Sequence, residues 1–79
     1  MKKVQFFSRP NCTLCEEGLL MLKLVKEDID FEIEVINIEH NDELHEKYML
    51  MIPVVVYNEN VVQYGNIDYP TMYEMLRNE

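Results

Sequence analysis

The run Phe6-Phe7-Ser8-Arg9-Pro10-Asn11-Cys12-Thr13-Leu14-Cys15 changes character twice in ten residues. It opens on β-forming aromatics, crosses a polar loop holding a proline, and closes on two cysteines where a helical pattern begins. Residues 3–7 read as a strand, with Val4, Phe6 and Phe7 as its β-formers. Residues 13–26 read as a helix. Leu14, Gly18, Leu22 and Val25 share one face, Leu19 lies beside them, and Glu16, Glu17, Lys23 and Glu27 fall mostly elsewhere. Cys12 therefore stands at or beside a helix N-cap, where unpaired backbone N–H groups and the positive end of the helix dipole favour a thiolate. Cys15 follows within one turn, so its sulfur can meet that of Cys12 with little backbone movement. This spacing permits a two-step exchange in which Cys12 attacks a disulfide and Cys15 resolves the mixed disulfide.

Working outward, Phe31, Ile33 and Val35 alternate with Glu32 and Glu34, so residues 31–38 read as a strand with one wet face. Asn41 is an N-cap for a short helix reaching about residue 49, with Asp42 and Glu43 favourably placed against its dipole. Residues 53–57 and 61–64 read as strands joined by a turn at 58–60, and Gly65 ends the second. A last helix runs to about Arg77, capped by Asp68 or Tyr69, with Pro70 in its first turn. The order β-α-β-α-β-β-α puts the first two strands parallel through a right-handed crossover and the last two in a hairpin. The fold class is α/β, with a four-stranded mixed sheet and flanking helices.

The chain of 79 residues reads as one domain over residues 1–79, near the small end of what folds alone. It is 48% hydrophobic and 28% charged, a globular composition. Seven basic against 15 acidic residues leave a net charge of −8. No basic cluster is available for phosphate backbones or anionic membranes, so neither nucleic acid nor membrane is an expected partner. Residues 27–46 hold nine acidic side chains and no Lys or Arg. That run reads as a solvated face that protects an edge strand, with steering toward basic partners as the functional alternative. Two cysteines with only two residues between them make a poor disulfide scaffold, so the pair reads as chemical and the compartment as reducing. After Met1-Lys2-Lys3, Arg9 and Pro10 arrive before any signal-type apolar run forms, and Leu19 to Val25 is too short to span a bilayer. A cytoplasmic monomer is expected.

Phe6 to Cys15, Met51-Ile52-Pro53-Val54 and Gly65-Asn66-Ile67-Asp68 together resemble the glutaredoxin and thioredoxin family, most closely the small bacterial glutaredoxin-like proteins. The likeness runs through essentially the whole chain and implies a thioredoxin-like fold and a disulfide oxidoreductase. It implies that Cys12 is the nucleophile, Cys15 the resolving thiol and Pro53 a cis-proline facing them. Pro53 would occlude the cysteines from metal, so no metal is expected. The backbone of Ile52 would turn outward to pair with an extended substrate. Arg9, Thr13 and Leu14 would border the thiols. Gly65 and Asp68 partly match the stretch that holds the amino end of glutathione, with Asn66 in place of the usual glycine. Substrates would be disulfide-containing proteins or small thiols, and electrons would come from glutathione or a reductase, with no cofactor bound. Thr13-Leu14 departs from the Pro-Tyr of glutaredoxins and the Gly-Pro of thioredoxin, in the position that helps set redox poise.

Each residue also has a plainer reading. Asp68 is fully explained as an N-cap, Arg9 as a solvated loop residue and Pro53 as a strand-opening proline. Cys12 and Cys15 with His40 and His45 make a formal zinc ligand set, but the stretch between Cys15 and His40 exceeds a finger linker. The methionines read mostly as core filler, with Met51 bordering the substrate groove. A non-catalytic binding module on the same fold, or a small metal-binding protein, are the competing functions.

Overall fold

The computed structural model describes residues 2–77. Strand β1 (Lys2–Ser8) leads through Arg9–Asn11 into helix α1 (Thr13–Lys26), and a turn returns the chain to β2 (Phe31–Asn37). A 3-10 turn (Ile38–His40) precedes α2 (Asp42–Tyr48); then come β3 (Val54–Tyr57), β4 (Asn60–Tyr64) and α3 (Tyr69–Arg77). The sheet order is β2-β1-β3-β4. β1 pairs parallel with β2 from Lys2↔Phe31 to Ser8↔Asn37, and β3 is antiparallel to both β1 and β4. This is the mixed sheet expected from the element order, in the thioredoxin-like arrangement.

Two cores lie on opposite faces of that sheet. Val4, Phe6, Phe31 and Val55 pack on one face against Cys15, Leu22 and Val25 of α1 and Met72 and Leu76 of α3. Phe7, Val54 and Val56 pack on the other against Ile38 and Tyr48. The Phe7 and Tyr48 rings meet at 4.8 Å between centroids, tilted by 36°. β3 is buried along Val54, Val55 and Val56 because helices cover both its faces, which is why it reads as an unbroken apolar run.

Several boundaries move. β1 gains Lys2 and Ser8, Ile38 leaves β2 for the 3-10 turn, and Pro53 precedes β3 instead of opening it. The hairpin turn has two residues, Asn58 and Glu59, both at positive φ (53° and 65°), and Asn60 belongs to β4 opposite Tyr57. Two consecutive left-handed residues match the right-handed twist of the flanking strands, which a longer loop would not need. The apolar face of β2 also fades: Phe31 is fully buried, Ile33 half-buried and Val35 exposed at the sheet edge. On α1 the buried face is Cys15, Gly18, Leu22 and Val25. Leu14, expected on that face, is instead exposed, one residue out of register with it.

Gly18 is the point of closest approach between α1 and the loops beyond it. A Cβ there would stand 3.0 Å from Cγ1 of Ile67 and 3.3 Å from Cγ of Pro53. Gly18→Val is expected to lower unfolding free energy by about 1–3 kcal/mol through overpacking against the rigid, buried proline ring. Gly18→Ala should sit near neutral, because its helix propensity gain of about 1 kcal/mol offsets the smaller clash. Urea midpoints of the two variants check the pair.

Candidate functional site

Asn11, at φ 57°, turns the chain from the loop into α1. Asn tolerates this left-handed conformation better than most residues. Cys12 follows as N-cap in an extended conformation (φ −123°, ψ 105°). Its sulfur accepts the Cys15 N–H at 3.2 Å and its carbonyl accepts the Glu16 N–H at 3.0 Å. The first turn of the helix thus delivers one backbone N–H, that of Cys15, to the Cys12 sulfur, a placement that stabilises negative charge on it. Cys12 and Cys15 are joined as a disulfide, with Cα atoms 5.2 Å apart. Their environments differ. Cys15 is only 4% exposed and belongs to the core beside Leu22 and Ile67, whereas Cys12 is half-buried at its edge. Cys12 is the more accessible residue of the pair.

The Ile52–Pro53 peptide bond is cis. Pro53 is buried, and its carbonyl accepts the Gly65 N–H at 2.8 Å. Gly65 has φ +77° with open space around its α-carbon, so its conformation, not crowding, calls for glycine. The Gly18 contact brings Pro53 against α1 one turn beyond Cys15, so α1, the Pro53 segment and the 65–68 loop meet at one place. The Ile52 N–H, expected to face a substrate, donates instead to the Tyr48 carbonyl at 3.0 Å. The chain leaving α2 is wound tightly there, and Met51 likewise donates to Tyr48 at 2.8 Å. That donor is committed inside the protein, which corrects the sequence expectation for it.

Thr13 and Leu14 are exposed in the first turn of α1, and Arg9 is exposed in the loop before it. Asp68 is tied down on every side. Its Oδ1 accepts the Thr71 N–H at 2.8 Å, its Oδ2 accepts from the Gln63 amide at 2.9 Å, and its own N–H donates to Gln63 Oε1 at 3.1 Å. The plainer reading of Asp68 as helix cap therefore describes it. Gln63, its partner across the loop, carries no sequence signal beyond a polar residue in a strand. The Thr71 N–H and then the Gln63 amide hold the Asp68 carboxyl below the usual carboxylate range. A carboxylate depressed in the folded state adds stability above its ordinary pKa and loses it as pH falls through the lower folded value. In urea titrations, Asp68→Asn, which still caps the Thr71 N–H, should fall slightly short of wild type at pH ~7, and the gap should narrow by pH ~3, below the unfolded value.

Among the described residues, no group of three or more His, Cys, Asp or Glu is placed to hold a metal ion. Among the described residues no helix is long and apolar enough to cross a membrane.

A dithiol at the start of a helix, beside a sheet of order β2-β1-β3-β4 and a cis-proline, defines a thioredoxin-fold redox centre. Residues 3–77 match the Glutaredoxin-like domain (DUF836), and the chain belongs to that family. Protein Ne2328 from Nitrosomonas europaea superposes with a TM-score of 0.81 at 31% identity, over 95% of this chain and 91% of that one. A structural genomics target protein from X. campestris gives a TM-score of 0.82 at 18% identity, over 96% and 97% of the two chains. A glutaredoxin from Archaeoglobus fulgidus gives 0.63 at 26% identity, over 99% and 89%. No curated protein matches the sequence significantly. Family, fold and cysteine pair together support a redox role.

Proposed function

We propose that the protein is a thiol–disulfide oxidoreductase that reduces disulfides of proteins or small molecules. The unequal burial of two linked sulfurs at the start of α1 carries this reading. In the reduced protein, the Cys12 thiolate attacks one sulfur of a substrate disulfide. That S–S bond breaks, the leaving thiolate takes a proton, and Cys12 is left in a mixed disulfide. Cys15 then loses its proton and attacks the Cys12 sulfur. The second substrate thiolate departs, and the Cys12–Cys15 disulfide forms. The substrate gains two electrons and two protons. A dithiol reductase or two molecules of glutathione restore the protein by the reverse exchange. Pro53 closes the site beside the sulfurs, and the Ile52 carbonyl and exposed Thr13 and Leu14 offer the substrate an edge. Arg9 and the helix dipole favour the Cys12 thiolate, while Glu16 and Glu17 oppose it. The net charge of −8 works against anionic glutathione as the favoured donor, and Asp68, already used as a cap, has little left for its ammonium.

The test is capture. The Cys15→Ser protein, unable to resolve, should accumulate mixed disulfides through Cys12 in a reducing extract, released by dithiothreitol. If wild type never cycles between dithiol and disulfide across glutathione buffers of physiological poise, the fold serves as a binding module instead.

A further inference from the structure

One groove borders the redox centre on the side away from α2. It holds about 270 Å³ and is lined by Leu14, Glu17, Leu20 and Met21 of α1, with Asn66 and Ile67 across from them and Gly18 between. Its wall is unusual for a helix surface. Leu14 is 47% exposed and Leu20 55%, and Leu24, one turn beyond Leu20, is 40% exposed. Leu20 and Leu24 make a short apolar stripe on α1 that is left exposed among the described residues, and Leu14 lies on the other side of Glu17. Of the groove's lining residues only Glu17 is charged, and it is exposed. Leu14, which lines the groove, stands between Cys12 and Cys15 in the chain.

We propose that this groove receives a lysine or arginine side chain of a substrate protein, lying beside the substrate's reactive disulfide. The volume suits one long side chain and not a helix. Lys and Arg bury their methylene stems along apolar surface while keeping the charged head in water, and here the head meets the Glu17 carboxylate at the rim. The surplus negative charge of the whole chain adds attraction for the same partner and repels acidic ones. A neighbouring apolar residue of the substrate would cover the stripe formed by Leu20 and Leu24. This inference rests on the redox reading and names its substrate class.

The experiment uses two matched disulfide-bonded peptides, with Lys or Glu beside the reactive cysteine. Each is reduced by wild type, Glu17→Gln and Glu17→Lys. The ratio of kcat/KM values (Lys peptide over Glu peptide) cancels any change in Cys12 reactivity common to both. For wild type the ratio should be about tenfold at low ionic strength, and it should approach parity in ~1 M salt, where screening extends only ~3 Å. Glu17→Gln should bring the ratio well below the wild-type value, and Glu17→Lys should invert it. The same ratio in wild type and Glu17→Lys overturns the proposal while leaving the redox reading intact. Failure of wild type to reduce even an uncharged small disulfide overturns both.

Discussion

Cys12→Ser is expected to abolish disulfide reduction, with a loss of about a thousandfold or more that leaves only background exchange. The effect is this large because no second sulfur replaces the first. Cys15 is only 4% exposed and belongs to the core cluster that includes Leu22 and Ile67. Serine keeps the oxygen that an N-cap needs and can still accept the Cys15 N–H, so the helix start is preserved. Stability should therefore stay close to that of the reduced wild type while turnover vanishes. A coupled assay on an uncharged disulfide, run beside a urea titration, separates these effects. Turnover by Cys12→Ser near the wild-type rate would remove the mechanism.

Phe6→Ala is expected to leave little folded protein. Phe6 lies in β1, paired to Val35 on one side and Val55 on the other, with its ring at 1% exposure in the core beneath α1 and α3. Truncating such a ring costs about 3–5 kcal/mol through lost burial and the cavity left behind. A chain this size has about 4–12 kcal/mol in total by the usual per-residue stability. The loss is about a quarter or more of what holds the molecule folded, and it falls at the strand that bridges both neighbours. Urea titration should show a midpoint at less than about three-quarters of the wild-type value, with rapid proteolysis under native conditions. Leu50→Ala is the contrast. Leu50 is 91% exposed and should shift stability by no more than about 0.5 kcal/mol.

The element order and sheet were legible because their signals are periodic. Alternation in β2, the 3.6-residue pattern of α1 and the Asn41 cap, whose side chain accepts the Leu44 N–H at 3.0 Å, each carried one element. The cysteine pair was legible because its spacing has a geometric meaning. What escaped depends on contacts between distant segments. On α1 the pattern gives Gly18, Leu22 and Val25 on the buried face and errs only at Leu14, because Cys15, a small apolar side chain as well as a reactive one, fills that place. The Ile52 N–H was assigned to a partner because nothing local shows that the chain after α2 winds back onto Tyr48. Gly18 was read only as one small member of a face. Its role appears once Pro53 and Ile67, far along the chain, are known to press against it.

The unequal burial of the two sulfurs has a consequence for timing. Once a partner is attached at Cys12, the second thiol is already beside the bond to be broken, held at the high effective concentration of an intramolecular group. That thiol is nearly closed to solvent, so the group that resolves the joined pair comes from this chain. How long the two proteins stay joined is then set by two things, the reach of Cys15 within α1 and the leaving ability of the partner's own thiolate. One part of the clock of the exchange belongs to this chain, and the other varies with each partner it engages.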